Sequence, residues 1–353
     1  MLPEMNGKCH IESIGVKIPG KRLTTSELTS KIKIPGIEKF GLLTGIQERR
    51  ICSGNEDSFS LACDAARDCL THSKYRAYEL DLIICCSITR YKKGLSHLYE
   101  PSFSLLIKNV IEARKAMTFD ISNACAGMLT GVYIAENLFR RGVIRTCMIV
   151  SGEYISNLYD HALKSIRTPL SSEISSLTVG DCGAAVILEK VPEDNEGLIV
   201  SGFKTFSHLS GLCTGRQNKR APGGNMKTKS IKIHKASVIN CLPIVKEALE
   251  VNGLTFDMID YLIPHQTSRS SIISGAIKLF DSEGKKPGNL VVNLRDTGNT
   301  ASTTHFLAIY QYLNENRFQK GDRIMLLCIA SGLIIGVVIF RMNEIIYRYG
   351  NKN

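Results

Sequence analysis

Cys125 stands in the run Asp120-Ile121-Ser122-Asn123-Ala124-Cys125-Ala126-Gly127-Met128. The apolar stretch from Met117 to Ile121 has the pattern of a strand, and Gly127 to Arg140 that of a helix. The cysteine is therefore expected at a strand-to-helix turn. Unpaired backbone N–H groups and the positive end of the helix dipole favour a thiolate there. A thiolate is the attacking species in acyl transfer. On its own the residue has a competing reading, because a free cysteine is otherwise a small buried apolar side chain.

Three other residues carry chemistry. His265 ends the strand-like run Tyr261-Leu262-Ile263-Pro264-His265-Gln266, and Asn299 lies in Thr297-Gly298-Asn299-Thr300-Ala301-Ser302, a small-residue turn between a strand and a helix. Strand ends are where α/β proteins gather reactive groups. Taken singly, His265 reads as a structural histidine and Asn299 as a turn or cap residue. Glu153, in Val150-Ser151-Gly152-Glu153-Tyr154, follows a buried strand in the half that holds Cys125. A carboxylate desolvated there has a raised pKa and can move protons. The alternative is a carboxylate satisfied by a backbone N–H or an arginine.

The elements that must position these residues alternate between strand and helix. Strands are expected at Leu80 to Ser87, Thr146 to Ser151, Ala184 to Glu189, Leu198 to Phe203, Asp260 to Ile263 and Leu290 to Asn293. Helices are expected at Phe59 to Ser73, Ser237 to Asn252, Ser270 to Phe280 and Thr303 to Asn314. This is an α/β protein with buried sheets. Gly180-Asp181-Cys182-Gly183 followed by an apolar strand is echoed by Ala330-Ser331-Gly332 followed by another, a weak internal repeat. Two related halves are expected, 1–192 and 193–353, with Pro192 to Gly197 as the linker.

Bulk properties narrow the class. At 353 residues, 44% apolar and 22% charged, the chain is long enough for a large core. Its 12 cysteines show no paired spacing and no C-x-x-C, and Met1 to Gly20 has no apolar core of a signal peptide. Reduced thiols, no structural zinc and a cytoplasmic setting are expected. The net charge of +11 suits an acidic partner. The basic cluster Arg216, Lys219, Arg220, Lys227 and Lys229 lies in a Gly/Pro-containing loop without interleaved aromatics, so no nucleic-acid site is expected. Ile324 to Phe340 is 17 residues without a charge, but it is rich in β-branched residues and broken by Ala330-Ser331-Gly332. It reads as two buried strands and a tight turn, not a membrane span.

Taken together, the motifs resemble the thiolase-fold condensing enzymes, specifically the β-ketoacyl-acyl-carrier-protein synthase III family. Five ordered segments carry the likeness. They are Thr44-Gly45-Ile46-Gln47-Glu48-Arg49, Phe119 to Gly127 around the cysteine, Val179-Gly180-Asp181-Cys182-Gly183-Ala184, Ile263-Pro264-His265-Gln266 and Thr297 to Ser302. The resemblance implies a five-layered αβαβα fold of two related halves and a homodimer. It implies that Cys125 accepts an acyl group from a thioester. His265 and Asn299 would then hydrogen-bond the thioester carbonyl of a malonyl-type extender, stabilising the enolate left by decarboxylation. Attack on the acyl-Cys125 makes a carbon–carbon bond. The oxyanion hole would be the backbone N–H groups of Cys125 and Gly332. No metal or permanent cofactor is implied. The substrates would be acyl-CoA or phosphopantetheine-linked thioesters, the latter on an acidic acyl carrier protein.

The chain departs from the family in ways that bear on substrate. It has no tryptophan, and Lys39 or Phe40 falls where the family stacks one on coenzyme A; Leu43 replaces an arginine. Extra length falls near 90 to 100 and 204 to 230, and Arg90 to Phe103 is expected to gate the site. With Glu153, these departures lean toward relatives that join two β-ketoacyl chains into cyclohexanediones. The competing readings are a non-decarboxylative acyltransferase and a non-catalytic partner subunit. Two edge strands, near Thr146 to Ser151 or their neighbours, are expected to pair across a dimer, and the sequence does not show which.

Overall fold

The computed structural model describes residues 9–191, 197–219, 221–281, 284 and 288–350. The expected linker and half boundary, 192–196, and Arg220 of the basic cluster lie outside them. Among the described residues the strands are β1 (Cys9–Lys17), β2 (Lys21–Thr24), β3 (Glu48–Ile51), β4 (Leu82–Cys85), β5 (Met117–Asp120), β6 (Thr146–Glu153), β7 (Cys182–Lys190), β8 (Leu198–Thr205), β9 (Cys213–Gln217), β10 (Gly224–Thr228), β11 (Tyr261–Pro264), β12 (Asn289–Leu290), β13 (Arg323–Ala330) and β14 (Ile334–Arg341).

Two five-stranded mixed sheets dominate, in the orders β1-β7-β6-β4-β5 and β12-β11-β13-β14-β8. Read from β5 and from β12, both run parallel, parallel, antiparallel, antiparallel. The weak sequence repeat is thus a repeat of topology: β7 and β14 occupy the same place in their sheets. β6 is buried along all its length, as a strand covered on both faces must be.

The helices fall into three layers. Ser58–Thr71 and Phe103–Ile111 pack on the outer face of the first sheet. Ser230–Val251 and Arg269–Asp281 pack on the outer face of the second. Gly127–Arg140 and Thr304–Asn314 lie between the sheets, sharing one apolar core that draws Ile149 and Val186 from one and Leu326 and Val338 from the other. The result is the five-layered αβαβα arrangement. Ile324 to Phe340 forms β13 and β14, an antiparallel pair. No described helix is long and apolar enough to cross a membrane.

Of the strands named for pairing across a dimer, β6 is excluded. β6, which holds Thr146 to Ser151, lies between β7 and β4, so its backbone groups are already paired. The edges of that sheet are β1 and β5, and Met117 and Phe119 of β5 are exposed.

The halves meet at two glycine turns. Asn299 N donates to Thr178 O at 2.9 Å and Gly180 N to Asn299 O at 3.0 Å, a parallel bridge between Val179 and Asn299. A Cβ at Gly180 would stand 2.1 Å from Thr297 O. Gly298 has φ +66°, and a Cβ there would stand 2.7 Å from Thr178 O. Backbone cannot yield to such contacts cheaply. Gly180→Ala is expected to cost about 3 kcal/mol or more and to lower the thermal midpoint clearly. An unchanged midpoint would show that the two turns are not locked together.

Candidate active site

The cysteine turn is built as its sequence requires. β5 leads into a 3₁₀ turn, Ala124–Ala126, and the Gly127–Arg140 helix follows directly. Ala124 takes φ +47°, an uncommon conformation for a residue with a Cβ. The second half repeats the device: Ala301 takes φ +56° in the turn Ala301–Thr303, before the Thr304–Asn314 helix. Cys125 and Ser302 therefore hold equivalent places.

Cys125, His265 and Asn299 all line one cavity of about 380 Å³. His265 follows the last residue of β11, and its N–H bonds Leu327 O at 2.9 Å. The fully buried Gln266 holds this corner, donating from Nε2 to Pro264 O and Val291 O and accepting from Asn293 N at 3.0 Å. Asn299 Oδ1 accepts from Ala301 N at 2.9 Å, which leaves its Nδ2 hydrogens for a ligand.

Electrostatics in the resting site run against ionisation. Burial pushes the Cys125 thiol up to about 12, with Cys213 and Glu153 adding to it. The helix N-terminus favours the thiolate, but here burial outweighs it. Burial, with His305 adding, lowers His265 to about 3, so its imidazole is neutral. Its Nδ1 is sealed without a partner. The ring therefore meets the cavity through its Nε2 edge.

Glu153 is fully buried at the end of β6 and is not among the cavity-lining residues. Its oxygens accept from Ile88 N, Thr89 N, Thr89 Oγ1, Ser151 Oγ and Ser302 Oγ, the last at 2.5 Å. It ties the first sheet to the Ala301–Thr303 turn. Burial raises it to about 7 despite those bonds. An unfolded glutamate sits near 4.3, so the native state binds the extra proton between those values and stability falls as pH rises through them. The whole fall is worth about 4 kcal/mol. Denaturant unfolding at about pH 5 and about pH 8 is expected to show it, and Glu153→Gln to flatten it. Equal slopes in both proteins would count against the buried carboxylate as its source.

Other expectations meet the geometry unevenly. Ala330 and Ser331 line the cavity, and Gly332 follows just beyond them, with φ +143°. Phe40 lines the cavity, whereas Leu43 points to solvent. No residue of Arg90 to Phe103 lines it. That segment is folded on itself by a Tyr91–His97 bridge and pinned where Lys93 N donates to Asp57 Oδ2. The basic loop is the β9–β10 hairpin. Cys213, Met226 and Thr228 face the cavity from it, while Arg216, Lys219, Lys227 and Lys229 are exposed. Sequence reasoning missed Cys213 and the buried His305. The only sign of His305 was a polar residue on the apolar stripe of its helix. No group of three or more metal-ligating side chains occurs among the described residues.

The layered fold and this cavity define the class, a thiolase-like condensing enzyme. Profiles of the 3-oxoacyl-[acyl-carrier-protein (ACP)] synthase III family match residues 119–207, and its C-terminal part 249–342. The chain belongs to that family. It is 28% identical over 335 residues to β-ketoacyl-[acyl-carrier-protein] synthase III of Rhodospirillum centenum, covering 93% of this chain and 97% of the relative. The Aquifex aeolicus enzyme is 26% identical over 327 residues, at 93% and 97% coverage. Among solved structures, OleA of Xanthomonas campestris with bound lauric acid and lauroyl-CoA superposes with a TM-score of 0.83 at 23% identity, covering 96% of this chain and 100% of that one. The Aquifex aeolicus synthase gives 0.80 at 24% identity, over 94% and 99%.

Proposed function

We propose that this protein joins acyl thioesters by a Claisen-type condensation. The observation that carries the reading is the convergence of Cys125, His265 and Asn299 on one largely apolar cavity. Family enzymes work on acyl-CoA or acyl-carrier-protein thioesters without a permanent cofactor. In this reading Cys125 Sγ takes the acyl group, and the donor thiol leaves. A malonyl thioester then loses CO₂ as its bond to the carboxylate breaks, or a β-ketoacyl thioester loses its acidic α-proton to solvent, while Asn299 Nδ2 and His265 Nε2 hold the thioester carbonyl on which negative charge develops. The resulting carbanion attacks the acyl-Cys125 carbonyl, forming the carbon–carbon bond and releasing the cysteine. Backbone N–H groups of Cys125 and Gly332 would take the oxyanion.

Between the Ser230–Val251 and Arg269–Asp281 helices the wall has an apolar part, Val238, Cys241, Ala276 and Leu279, beside the polar Ser237, Ser271 and Lys278. The apolar part suits an aliphatic acyl chain. The lysines and arginine of the β9–β10 hairpin, beside the cavity, suit an acidic carrier protein. The open β5 edge, with exposed Met117 and Phe119, suits a second copy of the chain adding its own β5. A cyclising role for Glu153 gains no support from its position, since five donors occupy its carboxylate away from the cavity.

The test is intact-protein mass after exposure to straight-chain acyl thioesters, followed by malonyl thioester with CO₂ and product analysis. An adduct that discharges into a β-ketoacyl product, with CO₂ released, supports the condensation. An adduct discharged only by alcohols or amines would mean an acyltransferase. No adduct with any donor would mean a non-catalytic partner subunit.

A further inference from the structure

His305 occupies the first turn of the Thr304–Asn314 helix and has no solvent exposure. Its ring lies 6.0 Å from that of His265, centroid to centroid, with the planes at 32°. Its Nε2 is 3.3 Å from Leu327 O. A carbonyl only accepts, so Nε2 carries the hydrogen of this imidazole and Nδ1 is a bare acceptor. The same oxygen takes the backbone N–H of His265 at 2.9 Å. One carbonyl of β13 thus holds both histidines. Two sealed atoms remain without a partner, His265 Nδ1 and His305 Nδ1. A buried polar atom left without a partner destabilises the fold. A direct bond between the two rings satisfies both: the hydrogen of His265 sits on Nδ1 and is given to His305 Nδ1.

We infer that His305 is a positioning residue for His265, taking its Nδ1–H and so presenting the lone pair of His265 Nε2 to the cavity that Cys125 lines. This rests on the reading of Cys125 as the acyl acceptor. The consequence is a base for a thiol that burial keeps protonated. As the Cys125 Sγ–acyl bond forms, the thiol proton passes to His265 Nε2. The donor's thiolate leaves and takes a proton from solvent. Nε2–H then meets the extender carbonyl beside Asn299 Nδ2. When the carbanion displaces Cys125 Sγ, the proton returns to sulfur. His305 Nδ1 accepts the Nδ1–H throughout, as the third member of a nucleophile–base–orienter set.

Nitrogen-15 spectra of histidine-labelled protein test the inference directly, with the His265 signals assigned by their loss in His265→Ala. The expected result is His265 with its hydrogen on Nδ1, reverting to Nε2–H in His305→Leu. His265 already in the Nε2–H form in the unaltered protein overturns the inference. That form would result if a water donated to both Nδ1 atoms. In the mass assay, His305→Leu is expected to load Cys125 about 10- to 100-fold more slowly. His305→Asn, whose Oδ1 stands near the place of Nδ1, is expected to recover most of that rate. Equal loading by all three proteins also overturns it. Should His305→Leu not fold, the spectrum of the unaltered protein still decides. Absence of loading in the unaltered protein would instead sink the condensing reading, leaving the tautomer to be judged by the spectrum alone.

Discussion

Cys125→Ala is expected to abolish acyl loading, a loss of about 10⁴-fold or more, as removal of a covalent nucleophile produces. The fold should survive, because alanine at the centre of the Ala124–Ala126 turn removes one sulfur and no hydrogen-bonded group that holds the turn. The decarboxylating groups should survive as well, since His265 and Asn299 are held by Leu327 O, Gln266 and Ala301 N, not by the cysteine. The variant is expected to form no adduct, and its CO₂ release from a malonyl thioester to fall as well, because His265 Nε2 then takes no proton from a thiol and Asn299 Nδ2 alone donates to the extender carbonyl. The measurement needs peptide mapping, because Cys213 lines the same cavity. An adduct persisting on Cys213 in Cys125→Ala would move the nucleophile to the β9–β10 hairpin.

Asn299→Ala is expected to separate the half-reactions. Loading should change little, while CO₂ release falls about 10²- to 10³-fold, the usual loss for one donor to a developing oxyanion. The alanine also removes the acceptor of the Ala301 N–H bond, which disturbs the turn. Asn299→Asp controls for that. It keeps an oxygen for Ala301 N but presents no N–H to the extender, so it should fail in decarboxylation equally. Normal CO₂ release by Asn299→Asp would make Asn299 a cap residue only. Equal loss of loading and decarboxylation in both variants would mean that the turn, not the donor, matters.

Much of the scaffold was legible because short-range patterns produce it. The helix after Cys125 runs Gly127–Arg140 as its apolar spacing requires, and the uncharged run at 324–340 divides at its small-residue turn. Misreadings fall where a distant group replaces a local one. Val292 and Asn293 have strand-like sequence, yet β12 stops at Leu290, because beyond it the side chain of Gln266 takes Val291 O and Asn293 N. The helix expected from Ser237 starts at Ser230. Its first two turns combine exposed lysines with a face on the cavity, so they lack the apolar stripe of a core helix.

The site divides in the same way. Local sequence sets the kinds of element and the reactive side chains at their ends, since a nucleophile turn, a histidine at a strand end and a Gly-Asn turn are written within a few residues each. The packing of distant segments brings these three to one cavity, leaves Glu153 outside it, pushes the Cys125 thiol up by burial and sets His305 against His265. Those are matters of distance and desolvation between segments far apart in the chain. They depend on how two sheets of like topology pack around the central helices, which no local pattern records.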